Sequence, residues 1–128
     1  NQNKRSYSVK KLLFIWLFKA SVAVNASTMV LWTCETLEGG EMEDVKRINT
    51  AWVEAVNKLS ERRIQSYVLE PIASSQMESF RYIDIYENPI HWGEMRSRME
   101  DGALDSFEDQ FDEVSKCTET SLFQAEKS

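Results

Sequence analysis

The sequence predicts an α+β domain whose elements run strand, helix, strand, strand, helix, strand. Three observations carry this. Residues 80–87 (FRYIDIYE) alternate in character residue by residue, the period of a strand. Met42, Val45, Ile48, Trp52, Ala55, Val56 and Leu59 recur at steps of three and four, the spacing of one helix face. Asn88-Pro89 supplies a cap and a first-position proline for a second helix, carrying Trp92, Met95 and Met99 on one stripe.

The chain opens on a different kind of segment. Lys4, Arg5, Lys10 and Lys11 are followed by a short apolar run, LLFIWLF at 12–18. Val24-Asn25-Ala26 then offers small residues at the −3 and −1 positions of a cleavage site. This is the layout of a secretory signal peptide over residues 1–26, and it places the mature protein in a secreted or periplasmic setting. A retained anchor is the rival reading, but a spanning helix needs roughly 18 apolar residues and Lys19 interrupts this run.

Removing residues 1–26 leaves 102 residues with 10 basic and 21 acidic side chains, a formal charge of −11. A domain so acidic repels phosphate backbones, which excludes nucleic acid and, after signal cleavage, a membrane surface as partners. The acidity otherwise serves solubility.

The remaining elements follow in order. Residues 28–35 (TMVLWTCE) read as a first strand, broken by Leu37-Glu38-Gly39-Gly40. The first helix spans about 41 to 62, with Glu41, Glu43 and Asp44 in its first turn and Arg62-Arg63 in its last. Residues 64–70 (IQSYVLE) form a second strand, stopped by Pro71. After the third strand and the helix at Asn88-Pro89, Asp101-Gly102 interrupts the pattern. Leu104, Phe107, Phe111 and Val114 mark a further helical stripe. Residues 117–123 (CTETSLF) form the last strand, and 125–128 a frayed tail, so the domain covers 27–124.

This order is the ferredoxin-like, split βαβ arrangement, with a four-stranded antiparallel sheet and helices on one face. Its first and last strands are antiparallel neighbours. Cys34 ends the first and Cys117 begins the last, so the topology brings them together. Outside a reducing compartment such a pair is expected to be bridged. There is no CxxC spacing, and no metal site is indicated.

Alternation divides the third strand into two sets. Ile83 and Ile85 point one way; Phe80, Tyr82, Asp84 and Tyr86 point the other. The expectation is that helices roof the aliphatic side and a second copy of the sheet seals the ring-rich side.

With FRYIDIY followed by NPIHW, and with this element order and length, residues 28–124 resemble the dimeric α/β barrels, which include antibiotic-biosynthesis monooxygenase-like proteins. They also resemble an uncharacterised group of small secreted proteins with a Cys near each end of the domain. The resemblance implies a homodimer and a pocket for a small apolar or aromatic molecule. It also implies activities ranging from cofactor-independent oxygenases to plain binders. Haem-binding members carry a histidine on or near the second helix, where His91 sits. The haem-degrading pattern also wants an Asn on the first strand; here there is none, so no cofactor is expected.

Each candidate side chain has two readings. Asp84 among rings would be desolvated and suited to proton transfer; otherwise it is a strand carboxylate facing water or pairing with Arg81. His91 offers a second polar contact, or is a surface residue of a first helical turn beside Trp92. Trp32, Tyr67, Tyr82 and Tyr86 would wall a pocket for a flat apolar ligand, or serve as core and dimer packing. The functional alternative to a ligand-binding or oxygenase-like protein is a non-catalytic interaction domain whose aromatic face builds the dimer.

Overall fold

The structure is a computed structural model that describes residues 26–128. The expected signal segment lies outside the described residues, except that Ala26 already opens the first strand. The elements are β1 (Ala26–Thr36), α1 (Met42–Lys58), β2 (Gln65–Leu69), β3 (Ser79–Tyr86), α2 (Pro89–Glu100), α3 (Asp105–Val114) and β4 (Ser115–Glu126). One antiparallel sheet has the order β2-β3-β1-β4, and the three helices pack on one of its faces.

Two elements depart most from their expected bounds, for local reasons. α1 ends at Lys58 rather than near 62. Asn57 clamps the returning chain: its Oδ1 accepts from the Ile64 N–H at 2.7 Å and its amide donates to the Ile64 carbonyl at 3.1 Å. β4 starts earlier and ends later than 117–123, taking in part of the expected tail. It pairs with β1 from Thr36↔Ser115 to Ala26↔Glu126, so ladder hydrogen bonds carry residues whose polarity reads as loop. The start of α2 matches expectation, with the Asn88 side chain accepting from the His91 N–H at 2.8 Å and Pro89 following as the first helical residue.

Cys34 and Cys117 are register partners across β1 and β4, at a bulge after Thr33, and form a disulfide. Nearby, Leu37 donates its N–H to the Val114 carbonyl at 2.9 Å. Gly40 lies so close to that carbonyl that a Cβ would collide with Val114 backbone, which explains a glycine in this loop.

The two sides of the sheet are the reverse of the expectation. Phe80, Tyr82, Asp84 and Tyr86 face the helices and are buried, while Ile83 and Ile85 lie on the open side and are half-buried. Tyr86 packs with Val30, Trp52, Val56, Met95 and Leu104; Phe80 and Tyr82 pack with Cys34 and Val45. Alternation separates two sets of side chains but does not say which set meets the helices. Rings bury more apolar area than Ile, so the thick layer under the helices rewards them more. The aromatic side is therefore not a dimerisation face. The helix-free face instead carries Met29, Leu31, Ile83 and Ile85, with Tyr67, Leu69 and Phe123 exposed.

Candidate functional site

A cavity of about 740 Å³ lies between the sheet and the helices. β1 supplies Val30 and Trp32, and β3 supplies Tyr82, Asp84 and Tyr86. Trp52 comes from α1, Trp92 from α2 and Phe111 from α3. Exposed Arg96, Glu108, Asp112 and Lys116 mark its mouth. The volume falls in the usual range for small-molecule sites, and the wall is mainly apolar by area.

Asp84 is the charged group of the interior and is 7 % exposed. It pairs across the ladder with Ser66 on β2 and Val30 on β1. The Ser66 hydroxyl donates to Asp84 Oδ1 at 2.6 Å, and the Asn49 amide of α1 donates to Ser66 Oγ at 3.0 Å. Burial pushes the carboxyl up from 3.8 to about 6; the Ser66 hydroxyl and the Trp32 indole, which favour the charged form, hold it from rising further. Burial also raises Tyr82 and Tyr86, so both phenols stay protonated at neutral pH.

The expected site residues divide. Trp32, Tyr82, Asp84 and Tyr86 converge on the cavity. Tyr67 does not: it lies on the helix-free face, opposite Ile83, and is 53 % exposed. Strand parity decides this, because Ser66 and Val68 take the positions of β2 that face the helices.

His91 also lies outside the cavity lining, and it is not a surface residue either, being 0 % exposed. Its Nδ1 accepts from the Glu87 N–H at 3.2 Å, so Nε2 carries the proton and faces Ser60 Oγ at 3.4 Å. Its ring meets Tyr86 edge to face at 5.5 Å. Burial lowers its pKa below 6.5, keeping it neutral. With both nitrogens engaged away from the cavity, His91 does not fit a haem ligand. Among the described residues no cluster of three His, Cys, Asp or Glu side chains could hold a metal ion.

Three lining groups stand outside the sequence expectation. Trp52 and Trp92 read as ordinary helix-stripe core, and both do pack in the core while also facing the cavity. Asn49 was discoverable: it sits four residues after Val45 and three before Trp52, a polar residue inside an apolar stripe.

No family model and no curated protein matches the chain. Solved structures do. SnoaB, a cofactor-independent oxygenase from Streptomyces nogalater, is similar with a TM-score of 0.59 at 12 % identity, over 82 % of this chain and 97 % of that one. A Bacteroides thetaiotaomicron protein of unknown function, described as a possible oxidoreductase, is similar with a TM-score of 0.51 at 14 % identity, over 81 % and 100 %. A Pseudomonas aeruginosa protein gives 0.52 at 12 % identity, over 83 % and 97 %. At such identities the likeness is one of architecture. The chain shares its ferredoxin-like fold with these proteins.

Proposed function

We propose that this protein binds a small, flat, apolar or aromatic molecule in the cavity and uses Asp84 to take a proton from it, in an oxygenase-like reaction without a cofactor. One observation supports this most: a buried carboxyl group, raised by that burial to about 6, lines a ligand-sized space among aromatic rings. In the charged form Asp84 accepts a proton; the ligand's O–H or C–H bond breaks and its electron pair stays on the ligand. The resulting electron-rich anion is the form that dioxygen oxidises. Tyr82 and Tyr86 remain neutral walls.

The test is dioxygen uptake by the purified domain with 1-naphthol as an electron-rich probe, alongside Asp84→Asn and Asp84→Leu. Acceleration by the wild type that both variants lose is the expected result. Equal rates in wild type and Asp84→Asn overturn the role of Asp84, and binding without uptake reduces the reading to a ligand carrier.

The helix-free face favours a homodimer. Tyr67, Leu69 and Phe123 are exposed beside half-buried Met29, Leu31, Ile83 and Ile85, an apolar surface that a second sheet would cover. Light scattering is expected to give a dimer for the wild type and a monomer for Ile85→Lys; a monomeric wild type removes this part. The Cys34–Cys117 bridge and the leader-like residues 1–26 support placement in a secreted or periplasmic compartment.

A further inference from the structure

Asn49 is 7 % exposed in the middle of the apolar stripe of α1, where a polar side chain costs stability unless its bonds are made. Its amide reaches across to β2 rather than to the helix backbone. Both ends of that amide lie near one hydroxyl: Nδ2 is 3.0 Å and Oδ1 is 3.5 Å from Ser66 Oγ. Ser66 in turn sits 2.6 Å from Asp84 Oδ1. Three side chains from α1, β2 and β3 thus meet in a line that ends at the cavity carboxyl.

We propose that Asn49 and Ser66 are positioning residues, a hydrogen-bond relay that follows Asp84 through both of its protonation states. The proposal rests on the reading of Asp84 as the proton acceptor. When Asp84 is charged, the Asn49 amide donates to Ser66 and the Ser66 proton goes to the carboxylate. When Asp84 holds a proton on Oδ1, that proton goes to Ser66 Oγ. The hydroxyl of Ser66 then turns to the Asn49 carbonyl, which a small turn of the amide brings into range. In both settings Ser66 Oγ keeps one donor and one acceptor partner, so the carboxyl changes charge without a change in packing. A hydroxyl is suited to the middle position because it donates one proton and accepts at the same oxygen.

Other charged and titratable groups surround this carboxyl. Tyr82 and Tyr86 flank it on β3, α2 contributes Arg96, α3 contributes Glu108 and Asp112, and β4 contributes Lys116. β1, β2 and α1 present no titratable side chain to the cavity. These surroundings are common to every variant below, so differences between variants isolate the relay.

The experiment follows the Asp84 side-chain carboxyl by carbon NMR titration, its signal identified by loss in Asp84→Asn. In parallel, the pH midpoint for binding N-phenyl-1-naphthylamine, a neutral fluorescent probe, is measured. Ser66→Ala should raise both midpoints by about one to two pH units, the worth of a hydrogen bond to a charged group. Ser66→Thr, which keeps the hydroxyl, should restore them. Asn49→Leu should raise them less, and the double variant should match Ser66→Ala alone, because Asn49 acts through Ser66. A merely structural pair would lower the melting temperature and leave the Asp84 midpoint unmoved; that result, or shifts that add in full, overturns the relay. If the wild type fails to bind the probe, the ligand reading falls, while the carboxyl titration still decides the relay.

Discussion

Asp84 and His91 are both buried titratable groups, seven positions apart, and they do opposite things. His91 has a partner at each ring nitrogen, an edge-to-face contact with Tyr86, and no cavity in front of it. It fastens the start of α2 to the end of β3 and to the loop after α1. Asp84 has Ser66 on one oxygen and lines a space of about 740 Å³. Burial shifts both groups toward their neutral forms, Asp84 upward and His91 downward. A perturbed titration therefore does not mark a site by itself. What separates the two is whether a ligand can reach the group.

The largest effect should come from opening the Cys34–Cys117 bridge, which closes an 83-residue separation. Replacing both cysteines by serine should cost about 4–5 kcal/mol on the chain-entropy model. It should lower the denaturant midpoint while leaving the Asp84 titration in place, because the bridge acts mainly on the unfolded chain. A shift in that titration would mean that the bridge shapes the cavity directly.

Next, His91→Ala should cost about 2–4 kcal/mol, through a buried void and an unpaired Glu87 N–H. Probe binding at a temperature where the variant remains folded should be unchanged. Lost binding in a folded His91→Ala protein would break the contrast.

Asp84→Asn should move stability the other way. A carboxyl raised from 3.8 to about 6 on folding contributes stability that is complete below pH 3.8 and lost as pH rises through about 6. His91, lowered from 6.5, contributes stability that is complete above pH 6.5 and lost as pH falls through its folded value. The asparagine variant should therefore gain about 1–2 kcal/mol at pH 8, a few degrees in melting temperature, with no gain at pH 4. It should also leave the His91 slope exposed, stability then rising with pH up to about 6.5. Calorimetry across pH reads both.

Tyr67→Ser should do least, within about 0.5 kcal/mol in the isolated subunit and with no effect on the probe, since Tyr67 lies on the far side of the sheet.

These contrasts also show what was readable in advance. Periodicity exposed the helix stripes and β3, and β-favouring runs between breakers exposed the other strands, because helix and strand geometry imprint 3.6 and 2.0 on where apolar residues fall. The cysteine pairing followed from topology, since adjacent antiparallel strands bring the end of one to the start of the other. The parity of β3 correctly grouped Phe80, Tyr82, Asp84 and Tyr86, yet parity is blind to which group meets the helices. That choice depends on packing volume between elements far apart in the chain. Tyr67 was misplaced for the same reason: its face is fixed by its register with Ile83, not by its own neighbours in sequence. His91 was misread as exposed because the turn at Ser60, which covers it, arrives from 31 positions earlier. Asn49 broke the pattern of its own helix, and that break was the accessible clue to the polar line behind Asp84.

The most direct test of the buried, ligand-facing carboxyl is the affinity for N-phenyl-1-naphthylamine from pH 4.5 to 8 in wild type and Asp84→Asn. A neutral probe resting on Asp84 should bind more tightly below about pH 6, where the carboxyl is uncharged, and the dependence should vanish in the variant. A wild-type affinity that does not change with pH, or a dependence that survives in Asp84→Asn, would contradict it.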